Sequence, residues 1–106
     1  MEQFEESLKY HKKSLELRKK LNDENRIYNS LNNIAFVYKN LGLYDQALEY
    51  FSQILENNNL IIQRPDFYAL VLDNYASTLY LNKKDNHLLP GLYLKALKIS
   101  DSINFD

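Results

Sequence analysis

Apolar side chains recur at three- and four-residue steps along the whole chain, the spacing of helices that bury one face. In the first segment Phe4, Leu8, Leu15, Leu17 and Leu21 are expected near one stripe, with Lys12-Lys13 and Lys19-Lys20 mostly opposite. Asn22-Asp23 reads as a break and an N-cap. A second helix is predicted from about Glu24 to Leu41, with Ile27, Leu31, Ile34 and Tyr38 inward and Gly42 where a left-handed residue ends a helix. A third runs from about Tyr44 to Glu56 with Ala47, Leu48, Phe51, Ile54 and Leu55 inward. The run Asn57-Asn58-Asn59 ends it, and Leu60, Ile61 and Ile62 are expected to be buried. Pro65 suits the first position of a fourth helix, where its missing N–H costs nothing. That helix reaches about Leu81 with Leu72, Tyr75, Ala76 and Leu79 inward. The stretch Asn82-Lys83-Lys84-Asp85-Asn86 is the next turn. A fifth helix occupies the remainder to about Ile103; with Pro90 and Gly91 early in it, it either starts near Leu89 or is distorted there. Two glycines and two prolines are too little punctuation for an all-β chain, so the expected fold is all-α with five helices.

The pattern also repeats. Phe4, Ser7, Tyr10 and Ser14 match Tyr44, Ala47, Tyr50 and Ile54 at a spacing of 40. Leu31, Asn33, Ile34, Ala35 and Tyr38 match Leu72, Asn74, Tyr75, Ala76 and Leu79 at a spacing of 41. A fixed period of this size signals stacked helical units, none of which can bury its apolar face alone. Such a stack is built to present a surface.

Composition changes this picture little. Hydrophobic residues make up 45% and charged residues 25%, which argues against disorder, and 106 residues suffice for one small domain or a slice of a longer array. Thirteen basic and 14 acidic side chains leave no electrostatic footprint for nucleic acid. No apolar run approaches the roughly 20 residues needed for membrane insertion. The chain has no cysteine, which removes disulfides and thiolate metal sites and favours a reducing compartment such as the cytoplasm, while an export compartment stays open if the parent is a membrane sensor.

Leu31-x-x-Ile34-Ala35-x-x-Tyr38 followed by Ala47-x-x-x-Phe51 resembles the tetratricopeptide repeat, whose signature is large-x-x-Leu-small-x-x-Tyr and then Ala-x-x-x-aromatic. Small residues suit the close crossing of two helices, and larger ones fill the gap beside them. The resemblance is weaker over 69–97, where Leu89 and Tyr93 stand for the alanine and aromatic and Lys83 for the turn glycine. At the amino end only a second helix is present, with Ser7 and His11 at the signature positions. The chain thus divides into a half repeat 1–22 and repeats 23–59 and 60–106. Periods of 40 to 42 are similar to the long variety in kinesin light chains and bacterial peptide-sensing regulators. The phrase Ala96-Leu97-Lys98-Ile99-x-Asp101-Ser102-Ile103-Asn104 resembles segments in arrays of bacterial sensor kinases.

The resemblance implies a right-handed α-solenoid of antiparallel helix pairs whose first helices line a concave groove for a protein or peptide partner. Its groove residues would be Asn29, Asn32, Asn33, Phe36, Lys39 and Asn40, then Leu70, Asp73, Asn74, Ser77 and Leu81. In long-repeat relatives an asparagine at the place of Asn33 and Asn74 often bonds the backbone of an extended peptide. A carboxamide offers donor and acceptor together, so it serves any sequence. Arrays that grip the acidic tail of heat-shock chaperones need cations where this chain has Asn32, Phe36, Leu70 and Asn74, so that partner is not expected.

Other conspicuous residues read as structural. Most of the nine tyrosines fall at helical spacing and are expected in the core. His11 and His87 lack an acidic or nucleophilic partner at a useful spacing, and no glycine-rich phosphate loop or metal cluster is present, so neither enzyme activity nor a cofactor is expected. Leu92, Ala96, Ile99 and Ile103 form an apolar stripe on the fifth helix with nothing following. That stripe predicts either an excerpt of a longer array or a homodimer through exposed terminal helices. The leading expectation is a non-catalytic interaction module of a bacterial signalling protein; the alternative is a spacer or dimerisation arm with an idle groove.

Overall fold

The computed structural model describes residues 2–83 and 89–104. Six helices follow one another: α1 (Glu2–Lys20), α2 (Glu24–Asn40), α3 (Tyr44–Leu55), α4 (Leu60–Gln63), α5 (Pro65–Asn82) and α6 (Leu89–Asn104), with no strand among the described residues. The five expected helices are present, and the single turn α4 is an addition to them. His87, the turn residues Lys84, Asp85 and Asn86, and the side chains of Leu89, Tyr93 and Ile103 lie outside the described residues.

Each boundary has a local cause. Asn22 adopts φ 54° and Asp23 caps α2, its Oδ1 accepting from the Arg26 N–H at 3.3 Å. Gly42, at φ 77°, reverses the chain between α2 and α3. Pro65 opens α5. After α5 the left-handed position is held by Lys83, at φ 59°. The asparagine run closes α3 and starts α4 together. Asn57 Oδ1 accepts from the Asn59 N–H at 3.1 Å, and Asn57 Nδ2 donates to the Tyr28 hydroxyl at 2.8 Å.

Successive helices pack on one another, α1 on α2, α2 on α3 and α5 on α6, while α3 also packs on α5. Ile34, Ala35, Ala47, Phe51, Ile54 and Val71 are sealed from solvent at the centre of one continuous core. Ala35 on α2 and Ala47 on α3 have no exposed surface, as small residues at a close helix crossing require. Buried hydroxyls are satisfied: Thr78 Oγ1 donates to the Asn74 carbonyl at 2.7 Å, and Ser30 Oγ accepts from Arg18 Nη1 at 2.5 Å.

Three expectations need correction. Leu17 and Leu21 are exposed rather than part of the α1 stripe. Leu17 lies nine residues after Leu8, two and a half turns on and therefore on the opposite side. Of the triplet after the asparagines, Leu60 is buried and Ile61 partly so, but Ile62 is 84% exposed, because one helical turn cannot aim three consecutive side chains the same way. Most tyrosines serve the core as expected, with Tyr68 buried and Tyr28, Tyr38, Tyr50 and Tyr75 packed on it, while Tyr10 and Tyr80 are exposed. On α6 the described part of the expected bare stripe is covered: Leu92, Ala96 and Ile99 pack against the core, and among the described side chains Leu94 and Leu97 are exposed.

Candidate functional site

Two helices bring the expected groove residues together. On α2, Asn29, Asn33, Phe36 and Asn40 follow at steps of three and four and share one face, with Asn32 and Lys39 beside them. On α5 the same spacing aligns Asp66, Leu70, Asp73, Ser77 and Tyr80, with Asn74 and Leu81 alongside. Asn33, Phe36, Asn40, Leu70, Asp73 and Leu81 are exposed, while Asn29, Asn32, Lys39, Asn74 and Ser77 are half-buried.

Two cations fix the helices to each other. Arg64, just ahead of α5, donates from Nη2 to Asn29 Oδ1 at 2.8 Å and from Nη1 to the Asn25 carbonyl at 3.2 Å. Its guanidinium also lies 4.0 Å from the Phe67 ring centroid. Thirteen residues later, Ser77 Oγ accepts from Lys39 Nζ at 3.2 Å. One clasp joins the amino-terminal parts of α2 and α5 and the other joins their carboxy-terminal parts, so the helices run parallel. At about 1.5 Å per residue, the α5 line from Asp66 to Tyr80 extends roughly 21 Å, the reach of six or seven extended residues.

Between the clasps lie groups with unused bonding capacity. Neither the Asn33 nor the Asn74 carboxamide is engaged by a protein group among the described residues. Asn32, two turns before Lys39 on the side of α2 that reaches α5, has its Oδ1 buried with no partner. Phe36 is 47% and Leu70 51% exposed, which is high for large apolar side chains. At the amino-terminal end the face opens into a polar cleft of about 650 Å³ that Asn25, Gln63 and Arg64 help to line.

Arg64 was not among the expected site residues. A single arginine before a proline carries no sequence signal for a bond to a helix 35 positions away. Asp66 and Tyr80 were legible, since they continue the spacing of Leu70, Asp73 and Ser77 by one step at each end.

The arrangement offers hydrogen bonds and apolar contact. His11 is half-buried on α1, its ring edge-on to Tyr10 at 5.6 Å. Burial, and secondly the Arg18 charge, push its pKa below the usual imidazole value. Among the described residues no group of three His, Cys, Asp or Glu side chains is placed to hold a metal ion, and no helix is long and apolar enough to cross a membrane.

Comparison with curated proteins and with solved structures gives no significant match. Residues 1–59 match the family model of the tetratricopeptide repeat. That match covers more than half of the 106 residues, on the helices that pair across Ala35 and Ala47, and the chain therefore belongs to the tetratricopeptide repeat family.

Proposed function

We propose that this chain holds an extended segment of a partner protein along the groove between α2 and α5, as a non-catalytic interaction module of a bacterial signalling protein. Tetratricopeptide repeats are in general protein–protein interaction modules and typically have no catalytic role. One observation carries the finer reading: two parallel helices, clasped by Arg64 and Lys39, present the uncommitted carboxamides of Asn33 and Asn74 beside exposed Phe36 and Leu70. The carboxamides would bond peptide units of any sequence, and the apolar pair would select side chains. A face already fixed in place loses little freedom on binding. The repeats divide as 1–22, 23–59 and 60–106, and the signalling context rests on the resemblance of the phrase around Ala96–Ile99.

The test is to pan a random peptide library against the chain and map the selected peptides by NMR. The side-chain amide signals of Asn33 and Asn74 should shift on binding. The Asn33→Ala/Asn74→Ala variant should bind about tenfold more weakly while unfolding at the same urea concentration, since each lost hydrogen bond to an exposed group is worth about 0.5–1.5 kcal/mol. Peptides that bind the variant and the original equally would overturn the groove.

A second reading, a dimerisation arm, rests on Leu94 and Leu97, 52% and 57% exposed on α6. It requires a sedimentation coefficient that rises with concentration and no longer does so in Leu94→Glu/Leu97→Glu.

A further inference from the structure

Helix α1 carries a second face that its own fold does not use. Gln3, Ser7, Tyr10, Ser14, Leu17 and Leu21 follow one another at alternating steps of four and three, the spacing of a coiled-coil seam. Tyr10, Leu17 and Leu21 are each more than half exposed there, while Leu8 and Leu15 on the other side of α1 are packed into the core. Leu21 continues the helix by its hydrogen bonding, its N–H donating to the Leu17 carbonyl at 3.1 Å. The two ends of the seam differ in shape. The amino-terminal end is hollow: Gln3, Glu6, Ser7, Tyr10 and His11 line a cleft of about 520 Å³. The carboxy-terminal end is raised, with Leu17 and Leu21 standing into solvent.

We propose that the occupant of this face is a second copy of the chain, its α1 antiparallel to the first about a twofold axis. The axis passes midway between Tyr10 and Ser14. Gln3 then faces the partner's Leu21, Ser7 faces the partner's Leu17, and Tyr10 faces the partner's Ser14. A bulky side chain meets a small or flexible one at every level, and the leucines of each copy enter the cleft of the other. Hollow and knob lie on one helix, so a twofold fills both clefts at once, as a self-complementary interface requires. A parallel pair would set cleft on cleft and leucine on leucine. Charge along the solvent flank has the same symmetry. Glu6 and Lys20 are exposed at its opposite ends, and neither is bonded to a protein group among the described residues. The antiparallel pair sets each Glu6 beside the partner's Lys20. Lys13, exposed at the middle of that flank, meets the partner's Lys13 across the axis, and this like-charge contact weakens the pair. A single helix pair makes a small interface, below roughly 1,200 Å², so the dimer is weak and reversible. It involves neither the α2–α5 groove nor the exposed leucines of α6 and does not rest on either reading above.

Sedimentation velocity of the full chain from about 10 µM to 1 mM covers such an affinity. The sedimentation coefficient should rise from the monomer value to the dimer value over that range. Leu17→Glu, a change at an exposed position, should weaken association by about tenfold or more, and Lys13→Gln should strengthen it about threefold by removing the like-charge contact. Disulfide trapping reads the orientation, because the chain has no cysteine of its own. Under mild oxidation a mixture of Glu6→Cys and Lys20→Cys chains should cross-link about tenfold faster than either variant alone. A chain that stays monomeric throughout would leave this face to another helix and overturn the proposal. So would a dimer that survives Leu17→Glu but is lost in Leu94→Glu/Leu97→Glu, which would belong to α6. Faster linking of either cysteine variant alone would make the pair parallel and overturn it as well.

Discussion

Lys39 and Ser77 stand 38 positions apart, yet Lys39 Nζ donates to Ser77 Oγ at 3.2 Å. The bond spans two helices that pack chiefly on others, α2 on α1 and α3, and α5 on α3 and α6. It holds the open ends of α2 and α5 in register. A half-buried charged donor on a neutral hydroxyl should contribute about 1 kcal/mol. In a double-mutant cycle of Lys39→Met and Ser77→Ala, urea denaturation should give a coupling energy of about that size. A coupling near zero would mean that this bond contributes nothing and that the Arg64 bonds and packing hold the two helices.

Phe51 and Phe36 separate the core from the face. Phe51 has no exposed surface, while Phe36 is 47% exposed. Phe51→Ala should cost about 3–5 kcal/mol, because a cavity is left that the helices around it cannot close. That is a large share of the roughly 5–15 kcal/mol expected for a whole domain. Phe36→Ala should cost under about 1 kcal/mol. Urea midpoints of the two variants check the contrast; similar losses would place Phe36 in the core.

The fold was legible in the sequence because a helix imposes a period, and Ile34, Ala47, Phe51 and Leu72 obey it. Pro65 and Gly42 mark ends by backbone chemistry that acts locally, so they too could be read directly. Failures came where the period was applied loosely or ran out. Leu17 misses the α1 stripe by half a turn although it is apolar, and Ile62 is exposed although its neighbours are apolar and at least partly buried. On α6, Leu92, Ala96 and Ile99 share the stripe that their spacing predicts, but its covering by α5 depends on tertiary packing that a single helix pattern does not contain. On the candidate face, residue membership followed from spacing alone. The Arg64 and Lys39 bonds did not, because long flexible cations can reach several partners and only the fold selects one.

Gly42 and Lys83 occupy equivalent left-handed positions after α2 and α5, at φ 77° and 59°. A Cβ built on Gly42 meets nothing within 4 Å, so the cost of Gly42→Ala is that of the backbone conformation alone, about 1 kcal/mol. Lys83 already bears that strain, and Lys83→Gly should stabilise the chain by up to about 1 kcal/mol. Thermal unfolding should therefore move in opposite directions for the two variants. A loss of stability in Lys83→Gly would show that the lysine side chain contributes more than its backbone costs.

His11 makes stability depend on pH. Its pKa lies below the ordinary 6.5 in the folded chain, first because burial disfavours the charged ring and second because Arg18 repels it. Between the folded and unfolded values the unfolded chain binds more protons, so stability rises with pH through that interval. The contribution is complete above the unfolded value and is lost as the pH falls through 6.5 towards the folded pKa. His11→Gln removes the titration while keeping a polar side chain of similar reach. Urea midpoints of the original chain should fall more steeply than those of His11→Gln as the pH is lowered from about 7.5 to 5, with carboxylates affecting both alike. Parallel curves would mean that the ring is as well solvated in the folded chain as in the unfolded one, and would remove His11 from the buried side of α1.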